Sequence, residues 1–163
     1  MIWFVLGNVG SGKTSLCKRL ELEYGYKHLA LGDLLREEKN PVIQKCMRDG
    51  RLIPSSITTT VLKSALAGMN DNKVILIDGF PRNIENIQQS QGIEPIGVLH
   101  LQCDERVCLK RLLLRKRFDD NPKCIRERFF SFKRDTIPVL NYYRERNILY
   151  TVRDIGEVLK CIQ

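Results

Sequence analysis

Gly7-Asn8-Val9-Gly10-Ser11-Gly12-Lys13-Thr14, directly after the apolar run Ile2-Trp3-Phe4-Val5-Leu6, is the stretch whose reading decides the fold. It matches G-x-x-x-x-G-K-[ST] in the strand-to-helix setting that this motif requires. Glycines at 7, 10 and 12 let the backbone turn tightly and aim successive N–H groups at one phosphate with no Cβ atoms in the way. Lys13 then reaches the β- and γ-phosphates, and Thr14 or Ser15 offers a hydroxyl to Mg²⁺. The helix that opens near Lys13 turns its positive dipole end toward the anion. The whole stretch from Gly7 to Ser15, with Asn8, Val9 and Ser11 between the glycines, is therefore read as the cradle of a nucleoside triphosphate.

Working outward, the rest of the chain suits one compact α/β domain spanning 1–163. At 163 residues it can bury about two thirds of its unfolded surface, with little room for a second core. No stretch approaches the ~20 apolar residues of a membrane span. The apolar start lacks a basic n-region and a cleavage site, and the first strand consumes it, so a cytoplasmic chain is expected. The six cysteines (17, 46, 103, 108, 124, 161) show neither a CxxC pair nor zinc-like spacing, which favours free thiols over a disulfide framework.

Net charge is +8, with 27 Lys and Arg against 19 Asp and Glu, so an anionic partner is expected. The basic residues concentrate between 106 and 134, but Asp119-Asp120 sits inside that segment. An internal counter-charge suits phosphate handling better than a nucleic-acid stripe, although Phe118, Phe129, Phe130 and Phe132 supply the aromatics that stacking would need.

Hydrophobic periodicity gives strands at 2–6, 28–30, 74–78, 97–101 and 148–151. Helices are expected at 13–24, 32–38, 41–49, 55–69, 83–90, 105–115, 122–132, 137–145 and 156–161. Such alternation predicts right-handed crossovers and a five-stranded, parallel, doubly wound sheet. The run Val74-Ile75-Leu76-Ile77-Asp78 ends a buried strand in a carboxylate facing the ligand crevice. Asp78 can hold Mg²⁺ through its water shell; a turn or cap role before Gly79 is the plainer alternative. Arg82, leaving the stiff Phe80-Pro81 step, favours the functional reading.

Four blocks now stand in order: Gly7 to Thr14, Gly32-Asp33-Leu34-Leu35-Arg36, Gly79-Phe80-Pro81-Arg82 and Asp119-Asp120-Asn121. In sequence and spacing they resemble the adenylate kinase and UMP-CMP kinase family, over residues 1 to about 160. The resemblance implies a P-loop NTPase fold with a helical flap for the nucleoside monophosphate (31–70) and a very short lid (115–121). It implies reversible phosphoryl transfer from MgATP to a nucleoside monophosphate, by a monomer that needs no membrane or nucleic acid. By the same resemblance Lys13 follows the transferring phosphoryl group, Arg36 and Arg82 grip the monophosphate, and Arg115, Arg117 and Arg128 surround the transferred phosphate, with Arg115 also on the donor. Asp119 and Asp120 orient those arginines. The 50–54 stretch, through Ile53, together with Leu31 and Gly79, contacts the acceptor.

Physical chemistry supports the crowd of arginines independently. Phosphoryl transfer is positioning plus charge stabilisation around a loose transition state, and a planar guanidinium grips two phosphate oxygens without ever deprotonating. No general base is required, so His28 and His100 are expected as hydrogen-bonded structural residues.

Three departures from the family pattern stand out. Val9 replaces a proline. Thr14-Ser15 replaces Gly-Thr, which leaves open which hydroxyl faces Mg²⁺. Only Lys116 separates Arg115 from Arg117, a lid short enough to predict some ATP hydrolysis or a slower transfer. Asn86, four residues after Arg82, stands where adenylate kinases carry glutamine and UMP-CMP kinases asparagine, so CMP or UMP is favoured over AMP; Leu31 narrows the base pocket. The competing readings are a regulatory nucleotide-binding protein that has lost turnover and a nucleic-acid-associated ATPase.

Overall fold

The computed structural model describes residues 1–69 and 73–162. Asn70, the expected end of the flap, and Gln163 lie outside the described residues. Five strands, β1 (Ile2–Leu6), β2 (Lys27–Ala30), β3 (Ile75–Asp78), β4 (Gly97–Leu101) and β5 (Leu149–Val152), form one sheet in the order β2-β3-β1-β4-β5. All four pairings are parallel, as the alternation predicts. The helices are α1 (Lys13–Tyr24), α2 (Leu31–Glu37), α3 (Pro41–Asp49), α4 (Ser55–Ala67), α5 (Ile84–Gln89), α6 (Glu105–Leu114), α7 (Pro122–Ser131), α8 (Ile137–Glu145) and α9 (Ile155–Ile162).

Strand periodicity divides the core into two layers. Phe4, Leu6, Leu29, Ile75, Ile77 and Val98 face one side, against Leu31, Leu35, Phe80, Val139, Leu140 and Tyr143. Trp3, Val5, Leu76, Leu99 and Leu101 face the other, against Leu16, Cys17, Leu20 and Val158. Both faces being covered explains why these strands read as unbroken apolar runs. Gly97 is dictated by this packing, because a Cβ there would stand 2.2 Å from the Trp3 ring.

One expectation needs correction. Residues 122–145 were expected as two separate helices, but α7 and α8 are joined by a π-helical turn, Phe132–Thr136. Its cause is local. Pro138 has no N–H, and its ring crowds the carbonyl four residues back, so the ladder loosens and Ile137 N–H donates to Phe132 O, one residue further than in an α-helix.

Register positions the site. β1 and β3 pair with Val5 beside Asp78, and Gly79 N–H donates to Val5 O at 3.0 Å. The loop after Leu6 and the carboxylate of Asp78 therefore emerge side by side at the carboxyl ends of the central strands, where ligands of doubly wound sheets bind.

Candidate active site

The loop that follows β1 is built on left-handed glycines. Gly10 has φ +79° and Gly12 φ +96°. A Cβ on Gly10 would press within 2.6 Å of Cys108 O, so position 10 excludes side chains both by backbone conformation and by space. Gly12 caps α1 and no side chain bonds its first N–H groups, which leaves them for an anion. Lys13 folds back over the loop and donates from Nζ to Gly7 O at 2.8 Å and Asn8 O at 2.9 Å. These carbonyls hold the ammonium at the mouth of the loop.

Although part of Lys13 borders the cleft, its ammonium is desolvated. Burial, assisted by the charges of Arg82 and Arg128 and opposed by Asp78, brings its pKa down to about 8. Two consequences follow. Between about 8 and the ordinary 10.5 the unfolded chain binds the proton that the folded chain has lost, so this residue's contribution to stability improves as pH rises. A phosphate restores the proton, so nucleotide binding above about pH 8 takes one up, and the Kd for ADP is expected to be flat below that pH and to rise by up to about tenfold per unit above it. Calorimetry of ADP binding in buffers of differing ionisation enthalpy checks this. A flat Kd through the window, with no proton uptake, contradicts it.

Asp78 closes the other side. It is buried, and Thr14 Oγ1 donates to its Oδ2 at 2.6 Å. Burial alone would raise the Asp78 carboxyl. The nearby His28 imidazole, the Lys13 charge and the Thr14 hydroxyl outweigh this and hold it below the ordinary carboxylate range. An ionised carboxylate paired with a hydroxyl is an all-oxygen donor set, which fits a hard cation such as Mg²⁺.

Across a cleft of about 400 Å³ stands the cationic wall. The space above Gly32 is approached by two guanidinium groups, since a Cβ built there would lie 3.3 Å from Arg36 Nη1 and 3.7 Å from Arg82 Nη2. Arg82 is fixed by its own strand end, with Nε donating to Gly79 O at 2.9 Å and its carbonyl accepting from Thr136 Oγ1 at 2.8 Å. In the 115–121 lid Arg115 makes a two-pronged pair with Asp120, 2.7 Å at each prong. Asp119, almost wholly buried, accepts from Arg128 at 3.2 Å and Arg36 at 3.4 Å. Asp33 accepts from Arg36 at 2.6 Å and lies 3.7 Å from Arg117. Lid and flap are thus tied by Arg36 to Asp119 and by Arg117 to Asp33, with Arg128 of α7 joining at Asp119. Burial lowers the pKa of Arg128, to about 10, with Arg82 and Arg115 adding to the effect; among cations already short of solvent, an incoming phosphate relieves repulsion.

Most residues predicted for the site meet in this cleft. Gly7, Val9, Gly10, Gly12, Lys13, Thr14, Ser15, Arg36, Asp78, Gly79, Arg82, Arg115, Arg117 and Arg128 line it. Asn8 and Ser11 are buried beneath the loop. Leu31 and Ile53 are buried in the core, while their neighbours Gly32 and Leu52 form the wall. Asn86 is also buried. Its Oδ1 accepts from Arg82 N at 2.9 Å and its Nδ2 donates to Ser55 Oγ at 2.8 Å, so its amide braces the arginine loop against the flap. Sequence reading missed Arg111, which lines the P-loop side and donates from Nη1 to Ser11 O at 2.9 Å. Its position four residues before Arg115, on the same helical face, was the available signal.

His28 departs from the hydrogen-bonded role expected of it, because its Nε2 has no hydrogen-bond partner. All six cysteines are free, as their spacing predicts. Of the aromatics a nucleic-acid surface would use, Phe129 is buried in the core, and Arg134 lies over the exposed Phe130 at 5.0 Å.

A P-loop facing a converging arginine pair, with more arginines between them, is a site for two phosphorylated molecules, and residues 5–148 match a family model described as adenylate kinase. The chain belongs to the adenylate kinase family. Similar proteins include UMP-CMP kinase 3 of Arabidopsis thaliana, 42% identical over 98% of this chain and 87% of that protein. UMP-CMP kinase of Prunus armeniaca is 38% identical over 96% and 72%, and uridylate kinase of Saccharomyces cerevisiae 34% over 98% and 87%. As a member of this family the chain is a nucleoside monophosphate kinase, a phosphotransferase rather than a mere nucleotide binder. Among the described residues no helix is long and apolar enough to cross a membrane.

Proposed function

We propose that this adenylate kinase family member transfers the γ-phosphoryl group of MgATP reversibly to CMP or UMP in preference to AMP. The carrying observation is the pair of facing anion sites, the P-loop with Lys13 on one wall and Arg36 with Arg82 on the other. The donor triphosphate occupies residues 7–15, with Arg111 and Arg115 beside it, and Lys13 follows the group in transit. Thr14 and Asp78 would hold Mg²⁺, which would supply neutralisation of phosphate charge. Arg36 and Arg82 fix the acceptor phosphate, while Arg117 and Arg128 meet the equatorial oxygens.

Names of the relatives and the Asn86 side chain both favour a pyrimidine acceptor. Asn86 Oδ1 accepts from Arg82 N and its Nδ2 donates to Ser55 Oγ, so this buried side chain bears on the acceptor by setting the arginine loop against the flap. A coupled ADP-release assay with CMP, UMP, dCMP, AMP and GMP offered separately tests the assignment, with Lys13→Ala as the blank. Turnover with CMP or UMP is expected to exceed that with AMP. Turnover with AMP alone would make this an adenylate kinase and leave Asn86 without a part in pyrimidine preference. The no-acceptor arm reads the lid: a connection confined to residues 115–121 is expected to leave measurable ATP hydrolysis, and a rate at the Lys13→Ala level would show that it seals the donor site.

A further inference from the structure

Asp78 has neighbours that phosphoryl transfer does not use. Cys17 on α1 and His28 on β2 bring Sγ and Nε2 to its carboxylate, and the three ligand atoms all lie within 4.8 Å of one another. His28 Nε2 stands 3.4 Å from Asp78 Oδ2 on a side chain only 5% exposed, yet makes no hydrogen bond. Beside the carboxylate but without an aligned hydrogen bond, this buried nitrogen is incompletely satisfied, and its persistence in a folded chain calls for a reason. Cys17 is fully buried in the apolar layer with Val5, Leu16 and Leu20, where a small hydrophobe would pack as well.

One sulfur, one imidazole nitrogen and one carboxylate oxygen form the donor set of a borderline cation such as zinc. The oxygen–nitrogen separation already suits it, since a tetrahedron with ~2.1 Å bonds has edges of about 3.4 Å. The sulfur lies within 4.8 Å of both atoms, so metal binding requires it to approach by at most about 1 Å to reach the ~3.6 Å sulfur–nitrogen edge set by Zn–S and Zn–N bonds. Asp78 borders the cleft, so the cation has an access route there, and a water or a nucleotide oxygen can complete its coordination.

We propose that Cys17, His28 and Asp78 form a zinc-binding site whose occupation takes Asp78 away from Mg²⁺ and so holds the kinase inactive. On binding, Zn²⁺ replaces the thiol proton of Cys17, which passes to solvent, and no electron transfer is involved. The inhibitory half rests on the magnesium role assigned to Asp78; the binding half does not.

The test uses the full chain, reduced and freed of nucleotide and Mg²⁺. Titration with Co²⁺ is expected to produce a thiolate-to-metal charge-transfer band that saturates at one equivalent and is displaced by Zn²⁺. The band is expected to vanish in Cys17→Ala and to persist in a Cys103→Ser/Cys108→Ser variant, whose two sulfurs belong to a separate cluster. His28→Gln is expected to weaken metal binding by more than about 100-fold, beyond the loss of an outer partner; it remains informative if Cys17→Ala does not fold. With CMP or UMP as acceptor, Zn²⁺ is expected to silence the wild type, with recovery on adding EDTA, at concentrations that leave His28→Gln at its own zinc-free rate. No band in the wild type, or an equal band in Cys17→Ala and His28→Gln, overturns the site. A band without inhibition overturns the competition with Mg²⁺. Absence of kinase turnover with CMP or UMP in zinc-free protein supplied with Mg²⁺ would defeat the acceptor assignment while the cobalt titration still decides the site.

Discussion

Arg128→Met is expected to lower kcat by about three orders of magnitude with CMP or UMP as acceptor, while the Kd for ATP changes by only a few-fold. The argument starts from what phosphoryl transfer asks of a protein. Negative charge spreads over the equatorial oxygens of the migrating group, and an arginine delivered to them contributes on the order of 10³–10⁵ in kcat. Arg128 meets the conditions for that role. It leaves α7 toward the cleft, its side chain is largely shielded from water, and Asp119 and Asp120 hold it at 3.2 and 3.5 Å. Removing it takes away an interaction made chiefly in the transition state, so kcat and kcat/KM fall together. Arg128→Lys keeps the charge but loses the planar fork, and is expected to recover only a minor part. Steady-state kinetics beside calorimetric titration with a non-hydrolysable ATP analogue make the measurement. A loss of less than about tenfold in kcat for Arg128→Met would move the transition-state role to Arg117 or Arg115.

Much of this arrangement was legible in the sequence because it is local. The Gly7 to Thr14 loop, the Asp78 strand end and the Arg115 pairing with Asp120 are each set by neighbours within a few residues, and Lys13, Asp78 and Arg115 all face one cleft. α3 falls at 41–49 as expected and β3 one residue short of the expected 74–78; in the structure Asn40 accepts from Val42 N and Gly50 turns left-handed at the end of α3. What stayed hidden is non-local. The family resemblance names Leu31, Ile53 and Asn86 as acceptor-side residues but does not say which side of the wall they occupy. Leu31 and Ile53 are drawn into the core beside Leu35 and Leu62, and the Asn86 amide is engaged by Ser55, 31 positions away. The meeting of Cys17, His28 and Asp78 likewise depends on three separate elements. The π-helical turn escapes the periodicity for a different reason: the gap between the helices expected at 122–132 and 137–145 is itself helical, and the missing donor of Pro138 is absorbed inside that continuous run.

Asp119→Asn is expected to destabilise the nucleotide-free protein by about 3 kcal/mol, yet to leave the nucleotide-bound protein much closer to wild type. Asp119 is 2% exposed and is shared by Arg36 from the flap and Arg128 from α7. An asparagine fills the same volume and can still accept one hydrogen bond, so the loss is one of charge: two shielded guanidinium groups keep their repulsion and lose the carboxylate that offset it. Breaking a buried ion pair from one side costs about 3–5 kcal/mol, and the part of each guanidinium that faces the cleft places the expectation at the low end. For a chain of this size about 3 kcal/mol corresponds to a Tm lower by roughly 6–12 °C. The same uncompensated charge is what a phosphate seeks, so anions should recover stability in the variant more than in the wild type, by mass action on the folded state. Thermal unfolding in the presence and absence of ADP with CMP measures both quantities. A Tm deficit that is large without ligand and mostly closed with it would show that Asp119 holds the arginines in trust for the phosphates. An equal deficit in both states would mean that the carboxylate serves the fold alone, and that the lid-to-flap tie is not exchanged for substrate when the site fills.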